Sequence, residues 1–391
     1  MRILFMTQVL PFPLDAGPKV RAHHVIRYLA EAGHQIDLLS FVRPGNTTDH
    51  VRALERMCHS VTPVPLIRSR VRDAYDGVRS LWSKVPFLVM RDQLASMHQQ
   101  LRSLAGSRSF DALHIDQLWM APYGMNGVDP GLTVLDQHNA VFVVPLRLAE
   151  YRRAGLTRTL LRNEAAKLEA FERSTCESFD RVVWVTEEDR KALGARSDSR
   201  NPVIPIAIDS ANRRLIKRRN PFRITFLGGM HWPPNLEGIS WFAKNAWPRV
   251  ASANPSAVLT LVGKGAPRKL HDPASRIEVP GYIDDIEPYL EETAVFIVPL
   301  LSGAGMRVKI LDAWCWGLPV VSTTVGAEGL RIQEGDNLLL ADDPNSFSES
   351  VLRITTDTRL ARRLSEGGRA TVETHYDWKT AYKAWEEIYP V

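Results

Sequence analysis

The stretch from Ile297 to Leu330, IVPLLSGAGMRVKILDAWCWGLPVVSTTVGAEGL, leaves this chain little choice of fold. Val298-Pro299-Leu300-Leu301 has the continuous apolar character of a buried parallel strand. Ser302, Gly303, Ala304 and Gly305 predict a small-residue turn, because glycine tolerates left-handed backbone and lets a ligand come close. A helix is predicted from Arg307, with Val308, Leu311 and Ala313 to Cys315 on its apolar side. Gly317 and Pro319 end it, and Val320-Val321 opens the next strand. Strand, turn and helix start in this order make a place for an anion. The first helical N–H groups have no intrahelical partner, and the macrodipole adds partial positive charge. Arg307 and Lys309 stand in that first turn, where the dipole disfavours cations, so something negative is expected there. A diphosphate fits.

The length of 391 residues suits two α/β domains better than one. The formal charge of +5 lies wholly in residues 1–200, and residues 201–391 are balanced. Such a bias favours an anionic partner such as lipid headgroups, a pyrophosphate-linked acceptor or nucleic acid, although a solvated surface explains it equally well. The three cysteines, Cys58, Cys176 and Cys315, are far apart, which gives neither metal spacing nor a disulfide framework and fits reduced thiols in cytosol. The apolar run Ile3 to Met6 is short and is broken by Thr7-Gln8, unlike a signal peptide. No apolar run approaches the ~18 residues of a membrane span.

Ile3 to Met6 reads as a buried strand, Val20 to Ala32 as a helix and Ile36 to Phe41 as the next strand. The loop between the first two carries Asp15-Ala16-Gly17, but a three-glycine dinucleotide fingerprint is absent. Residues 50–108 are read as mostly helical and arginine-rich, with Trp82, Phe87, Leu88 and Met90 interleaved. This is either an amphipathic surface for anionic lipid or a helix pair packed on the sheet. Ala112 to Ile115 and Thr133 to Leu135 read as strands, the second ending in Asp136-Gln137-His138-Asn139. Residues 144–178 read as helical, with Arg147, Arg152, Arg153, Arg158 and Arg162 as a second basic cluster. Arg181 to Val185 closes this domain as a strand, and Thr186 resembles an N-cap. A second α/β unit begins at Ile224 to Leu227, with Gly228-Gly229 as its turn. A helix follows Asn235, a strand from Val258 to Val262 ends at Gly263-Lys264-Gly265, and Ile277 to Val279 leads to Gly281-Tyr282-Ile283-Asp284-Asp285. The adjacent acids Asp284-Asp285 and Asp342-Asp343 read as helix caps more readily than as cation ligands.

These residues carry a resemblance. The segment ending in Asp312 and Gly317-Leu318-Pro319-Val320-Val321 resembles the donor site of retaining glycosyltransferases of the GT-B fold, family 4 (glycosyl transferases group 1). That family often has Glu, seven residues, Glu, then Gly-x-Pro-Val-Val. Asp312 stands at the second acid, Ala304 replaces the first, and Gly303 to Lys309 resembles a branch with an Arg-x-Lys turn. Asp136-Gln137-His138-Asn139 resembles the family's Asp-x-His-Asn, and Pro202 to Asp209 its domain join. The resemblance implies an α/β fold of two Rossmann-like doubly wound domains facing a cleft. It divides the chain into an acceptor-binding domain (1–202), a donor-binding domain (203–375) and a terminal helix (376–391) crossing back to the first.

It also implies the site. Asp312 would hold the ribose hydroxyls, and backbone at Gly303, Gly305, Met306 and Val308 the phosphate or sugar. Gly17 and Gly229 would face the phosphates, while Gly263, Gly265 and Ile283 would line the base pocket. The family's Arg and Lys after the Gly228-Gly229 position are absent, so Arg307 and Lys309, with His231, are expected to supply that charge. His138 would face the acceptor or sugar, with Asp136, Asn139 and Glu328 as acceptor-side candidates. The expected activity is transfer of a hexose from a nucleotide-sugar donor to a saccharide or lipid-linked acceptor, with retention, in cell-surface polysaccharide biosynthesis. No metal or other cofactor and no nucleic-acid partner are expected. The expected location is the cytoplasm, with peripheral contact to anionic membrane. The alternatives are a sugar-nucleotide epimerase of the same fold and a non-catalytic nucleotide- or nucleic-acid-binding module.

Overall fold

The structure is a computed structural model that describes residues 1–125, 130–150, 154–211, 215–216, 222–267, 270–283 and 285–390. The chain forms two compact units, Met1–Ala207 with Trp378–Val391, and Ile208–Asp377. Each is built on a six-stranded parallel sheet.

In the first unit the strands are β1 (Arg2–Thr7), β2 (Gln35–Val42), β3 (Ser60–Pro65), β4 (Ala112–Asp116), β5 (Leu132–Gln137) and β6 (Arg181–Trp184), in the order β3-β2-β1-β4-β5-β6. Side chains alternate across the sheet. Leu4 and Met6 of β1 join one core with Leu39, Phe41, Leu113 and Trp184, while Ile3 and Phe5 join the other with Val25, Ile26, Ile36 and Leu38. A sheet covered on both faces needs the near-continuous apolar strands seen in β1 and β2. The second core is completed by the end of the chain, where Trp378, Tyr382, Trp385, Ile388 and Tyr389 pack among these residues. At about 1.5–3 kcal/mol per large apolar side chain, these rings are a substantial part of that core.

The second unit contains β7 (Arg223–Leu227), β8 (Val258–Val262), β9 (Ile277–Gly281), β10 (Thr293–Val298), β11 (Val320–Ser322) and β12 (Leu339–Leu340), in the order β12-β11-β10-β7-β8-β9. Counted from its own first strand, this is the same winding as the first unit. Each sheet therefore reverses its strand order once, between β1 and β4 and between β7 and β10. Open α/β sheets bind ligands beyond the carboxyl ends of the strands at such a reversal.

Several expectations are corrected. Residues 50–108 are not only helical: β3 lies between the helices Thr48–Glu55 and Arg70–Leu81. Its sequence, SVTPVP, holds two prolines, which an edge strand tolerates. Strand β10 stops at Val298, because Pro299 has no N–H to continue the ladder. The helical region 144–178 is two helices, Val143–Glu150 and Leu156–Glu177; Arg152 and Arg153 lie outside the described residues, as does Asp284. The terminal segment is one short α-helix, Trp378–Ala381, followed by the 3-10 turn Tyr382–Glu387, and the chain leaves the first unit after Ala207.

Candidate active site

In the second unit, the ends of β7, β8 and β10 bring the expected donor-side residues together. Gly228 follows β7, and its N–H donates to Val262 O at 2.9 Å. Gly263 has φ 146°, and a Cβ there would fall 2.1 Å from Gly228 O, so only glycine fits between the two turns. Met230 N donates to Lys264 O at 2.7 Å, which places the exposed His231 beside Gly229 and Gly265. Ile283 lies just past the end of β9 and is partly buried.

The turn after β10 leads into the helix Val308–Cys315, an eight-residue element whose Val308, Ile310, Leu311, Ala313, Trp314 and Cys315 are buried. Gly317, at φ 69°, ends it as expected. Gly303 (φ 132°) and Gly305 (φ 75°) shape the preceding turn, and Met306 is buried in it. Ser302 Oγ donates to Glu237 Oε2 at 3.0 Å and pins the turn to the helix Pro233–Asn245.

The two cations behave differently. Arg307 is buried, and its Nη1 donates to Ala304 O and Gly305 O, each at 2.5 Å, while Nη2 is 3.4 Å from Val325 O. Its guanidinium is thus turned onto backbone carbonyls of its own turn and of the 3-10 turn Val325–Ala327. Arg307 braces the turn on which a direct grip on the ligand was expected of it. Lys309 reaches instead to the neighbouring strand end. Its Nζ donates to Asn235 Oδ1 at 2.8 Å, lies 4.5 Å from the Phe226 ring centroid, and would sit 2.7 Å from a Cβ at Gly228. Asn235 Nδ2 in turn donates to Gly229 O at 2.8 Å. Lys309 therefore brings a cation to the glycine turn that lacks one in the sequence. Burial, and then repulsion from Arg307, lower its pKa from 10.5 to about 7. An ammonium held this way is stabilised by an arriving anion.

Asp312 is one turn further along this helix and partly buried, and Glu328 follows the 3-10 turn, also partly buried. Asn235, which links Lys309 to the Gly229 turn, is not singled out by the sequence reading, which starts the helix after it; the structure places it in the first turn of the helix Pro233–Asn245.

In the first unit, Gly17 is the first residue of the helix Gly17–Glu31, whose N-cap, Ala16, offers no side-chain acceptor. His138 follows β5 and is 7% exposed. Its Nε2 is 2.8 Å from Asp116 Oδ1 at the end of β4. A carboxylate only accepts, so Nε2 carries the proton. His138 Nδ1 then remains an acceptor, with no hydrogen-bond partner among the described residues. Glu172, fully buried, accepts from Val141 N (2.7 Å), Phe142 N (3.0 Å) and Gln137 Nε2 (2.7 Å), and so fixes the loop that carries His138 and Asn139. Burial pushes its carboxyl up to about 8 despite these donors.

Asp136 is corrected. It is sealed from solvent, and Arg21 holds it with Nη2 at 2.6 Å from Oδ1 and Nε at 2.8 Å from Oδ2. Burial would raise this carboxyl, but Arg21, His114 and His138 outweigh burial and hold it well below the usual range. Arg21 Nη1 also donates to Ile204 O and Pro205 O, at 2.8 and 3.0 Å. Asp136 thus ties the sheet to the end of the unit and does not meet an acceptor. Among the described residues, Asp116, Asp136 and His138 are the one cluster of acid and histidine atoms close enough to share a metal. The guanidinium on both oxygens of Asp136 does not suit a cation.

Comparisons with known proteins bear on the fold and on the second unit. Residues 221–357 match the family described as Glycosyl transferases group 1. Over 98% of both chains, the protein is 21% identical to an uncharacterized 44.6 kDa protein in the cps region of Klebsiella pneumoniae. Over 30% of this chain and 37% of the other, it is 32% identical to the lipopolysaccharide core biosynthesis glycosyltransferase LpsE of Rhizobium meliloti. HepE from Anabaena, solved in complex with UDP-glucose, superposes with a TM-score of 0.65 at 13% identity, covering 100% of each chain. Twin doubly wound sheets give this chain the GT-B fold, and its second unit carries the segment that matches the group 1 glycosyl transferases.

Proposed function

We propose that this glycosyltransferase moves a hexose from a nucleoside-diphosphate sugar to a saccharide or lipid-linked acceptor of a cell-surface polysaccharide, with retention and without a metal. The observation that carries this is the Lys309 ammonium at the Gly228-Gly229 turn, beside the N-terminus of the helix Val308–Cys315. Together they offer a fixed positive environment for the charge that develops on a leaving diphosphate. Asp312 is assigned to the ribose, and the turn Gly303 to Val308 to phosphate and sugar. A front-face path, in which the departing phosphate takes the acceptor proton, needs no protein nucleophile. His138 Nδ1 is the group we assign to orienting an acceptor or sugar hydroxyl. The cps-region and lipopolysaccharide-core relatives support the polysaccharide setting.

Contact with an anionic membrane is part of this reading. Among the described residues no helix is long and apolar enough to cross a membrane. The helix Arg70–Leu81, however, displays Val71 (80% exposed), Tyr75, Val78 and then Trp82 (81% exposed) at helical spacing. Exposed Arg70, Arg79 and Lys84 flank them. Apolar side chains beside cations suit a helix that lies in an anionic interface.

The test is product analysis. The full chain, incubated with a panel of sugar nucleotides and saccharide acceptors in the presence of EDTA, should yield free nucleoside diphosphate and a new glycoside of retained anomeric configuration. Interconverted sugar nucleotide would instead establish an epimerase. An inverted product, or full activity in His138→Ala, would overturn the assignments.

A further inference from the structure

The carboxyl ends of β1, β2 and β3 bring three guanidinium groups around a single carboxylate. Gln8 follows β1, Arg43 follows β2, and Arg68 lies just beyond β3. Arg91 and Asp92 follow the short helix Phe87–Met90. Asp92 is buried; Gln8 Nε2 donates to its Oδ2, and Arg68 Nη2 donates to its Oδ1 at 2.7 Å. Arg91 Nε is 3.9 Å from that same oxygen, beyond hydrogen-bond reach.

The pair Arg68–Asp92 explains itself, and Arg91 lies over the Phe87 ring, 5.5 Å from its centroid, within ion-pair range of Asp92, but these contacts leave donors over. Arg43 Nε, Arg91 Nε and Gln93 Nε2 are all buried without a hydrogen-bond partner. Donors sealed from water and left unmatched are expensive, and a native chain rarely keeps three together without a use for them. Asp73 and Glu164 add some attraction at Arg91, whereas at Arg43 the pull of Asp92 is opposed by both Arg68 and Arg91. Burial, with that repulsion, holds Arg43 below its ordinary pKa. The shortage of negative charge is felt at Arg43, and the cluster lies at the ligand-binding edge of the sheet.

We propose that Arg43, Arg68 and Arg91 form an oxyanion site in the first unit for a phosphate or diphosphate ester, carried by the acceptor. The planar fork of arginine matches phosphoryl oxygens in pairs, and three forks around one site can hold a dianion. This rests on the glycosyl-transfer reading and adds the chemical class of its second substrate. The helix Arg70–Leu81 adjoins the cluster through Arg72, whose Nη2 donates to Gln93 O. Its apolar stripe gives the tail of a lipid-linked phosphate a place beside the arginines.

The test uses the full chain saturated with UDP, so that the donor side is filled, and titrates inorganic pyrophosphate by calorimetry. Wild type should bind, and Arg43→Gln and Arg91→Gln should each weaken binding by about tenfold or more, with UDP affinity unchanged. Without anion, Arg43→Gln should melt no lower than wild type, because it removes a repelled cation. A second arm floats the protein on phosphatidylcholine vesicles with and without a polyprenyl phosphate. Arginine-dependent capture only by the phosphate-bearing vesicles identifies a lipid-linked acceptor. Pyrophosphate binding without such capture identifies a soluble phosphorylated one, and both results uphold the site. Pyrophosphate binding equal in wild type and both variants, or absent in wild type, would refute it. Loss of UDP binding in wild type would instead sink the donor-side reading.

Discussion

Replacing Lys309 with methionine should stabilise the ligand-free protein while crippling its hold on the donor. Methionine keeps much of the apolar stem and removes the charge. The lysine is protonated up to pH 10.5 when unfolded but only to about pH 7 when folded. Below pH 7 the full penalty of burying the ammonium is present; between pH 7 and 10.5 it fades, so wild-type stability rises with pH in that window. At pH 7 the displacement corresponds to at most about 4 kcal/mol, at 1.36 kcal/mol per unit. Loss of the bond to Asn235 offsets about 1 kcal/mol. A net gain of about 1–3 kcal/mol is expected, or several degrees in Tm for a unit of this size. UDP binding should weaken by about 10–100-fold, because a charge-assisted contact is lost. Thermal melts from pH 6 to 9, with and without UDP, measure both effects. A K309M protein that melts below wild type at pH 7 and binds UDP as tightly would show that Lys309 is an ordinary structural lysine.

Four other outcomes are expected. Asp116→Asn should lower kcat by about tenfold or more while leaving the donor KM unchanged, since it loosens His138 within the first unit; unchanged kcat would exclude the positioning role. Gly263→Ala should unseat the Gly228 turn, with a fall in Tm and UDP affinity by about 2 kcal/mol or more, read by melts and calorimetry. Folded Glu172 keeps its proton to about pH 8 whereas the unfolded chain releases it from 4.5, so wild-type Tm should decline across that range; the decline should be much smaller in Glu172→Gln, and equal slopes would contradict the assignment. A Val71→Glu, Val78→Glu double variant should lose flotation on phosphatidylglycerol vesicles with no change in Tm, and retained flotation would move the membrane contact elsewhere.

Local patterns made much of this structure legible. β1, β2, the helix at Val308 and its stop at Gly317 follow from apolar runs, small-residue turns and glycine, all of which act over a few residues. The prolines of β3 hid a strand because edge position, which excuses them, is a property of the whole sheet. The chemistry of charged groups was harder to read, since it depends on distant partners. Arg21 and Asp136 are 115 residues apart, and an aspartate whose arginine is that far away in the chain passes for an acceptor ligand. Lys309 and Asn235 are 74 apart, so the sequence could ask for a cation near Gly229 without showing which side chain delivers it. Arg307 and Lys309 are equivalent in one dimension; three backbone carbonyls within reach of the arginine separate them.

The return of the chain's last residues to the first core has a bearing on biogenesis. Trp378, Tyr382, Trp385 and Tyr389 leave the ribosome after all of residues 208–377, yet they close a layer whose other members were made before that stretch. The opening unit therefore waits, with one apolar face uncovered, while the whole of the other is synthesised, and only the latter can reach its finished state as a continuous piece of chain. Clipping the protein just before Trp378 should accordingly leave residues 208–377 cooperative in melting and turn the earlier half into the aggregation-prone partner.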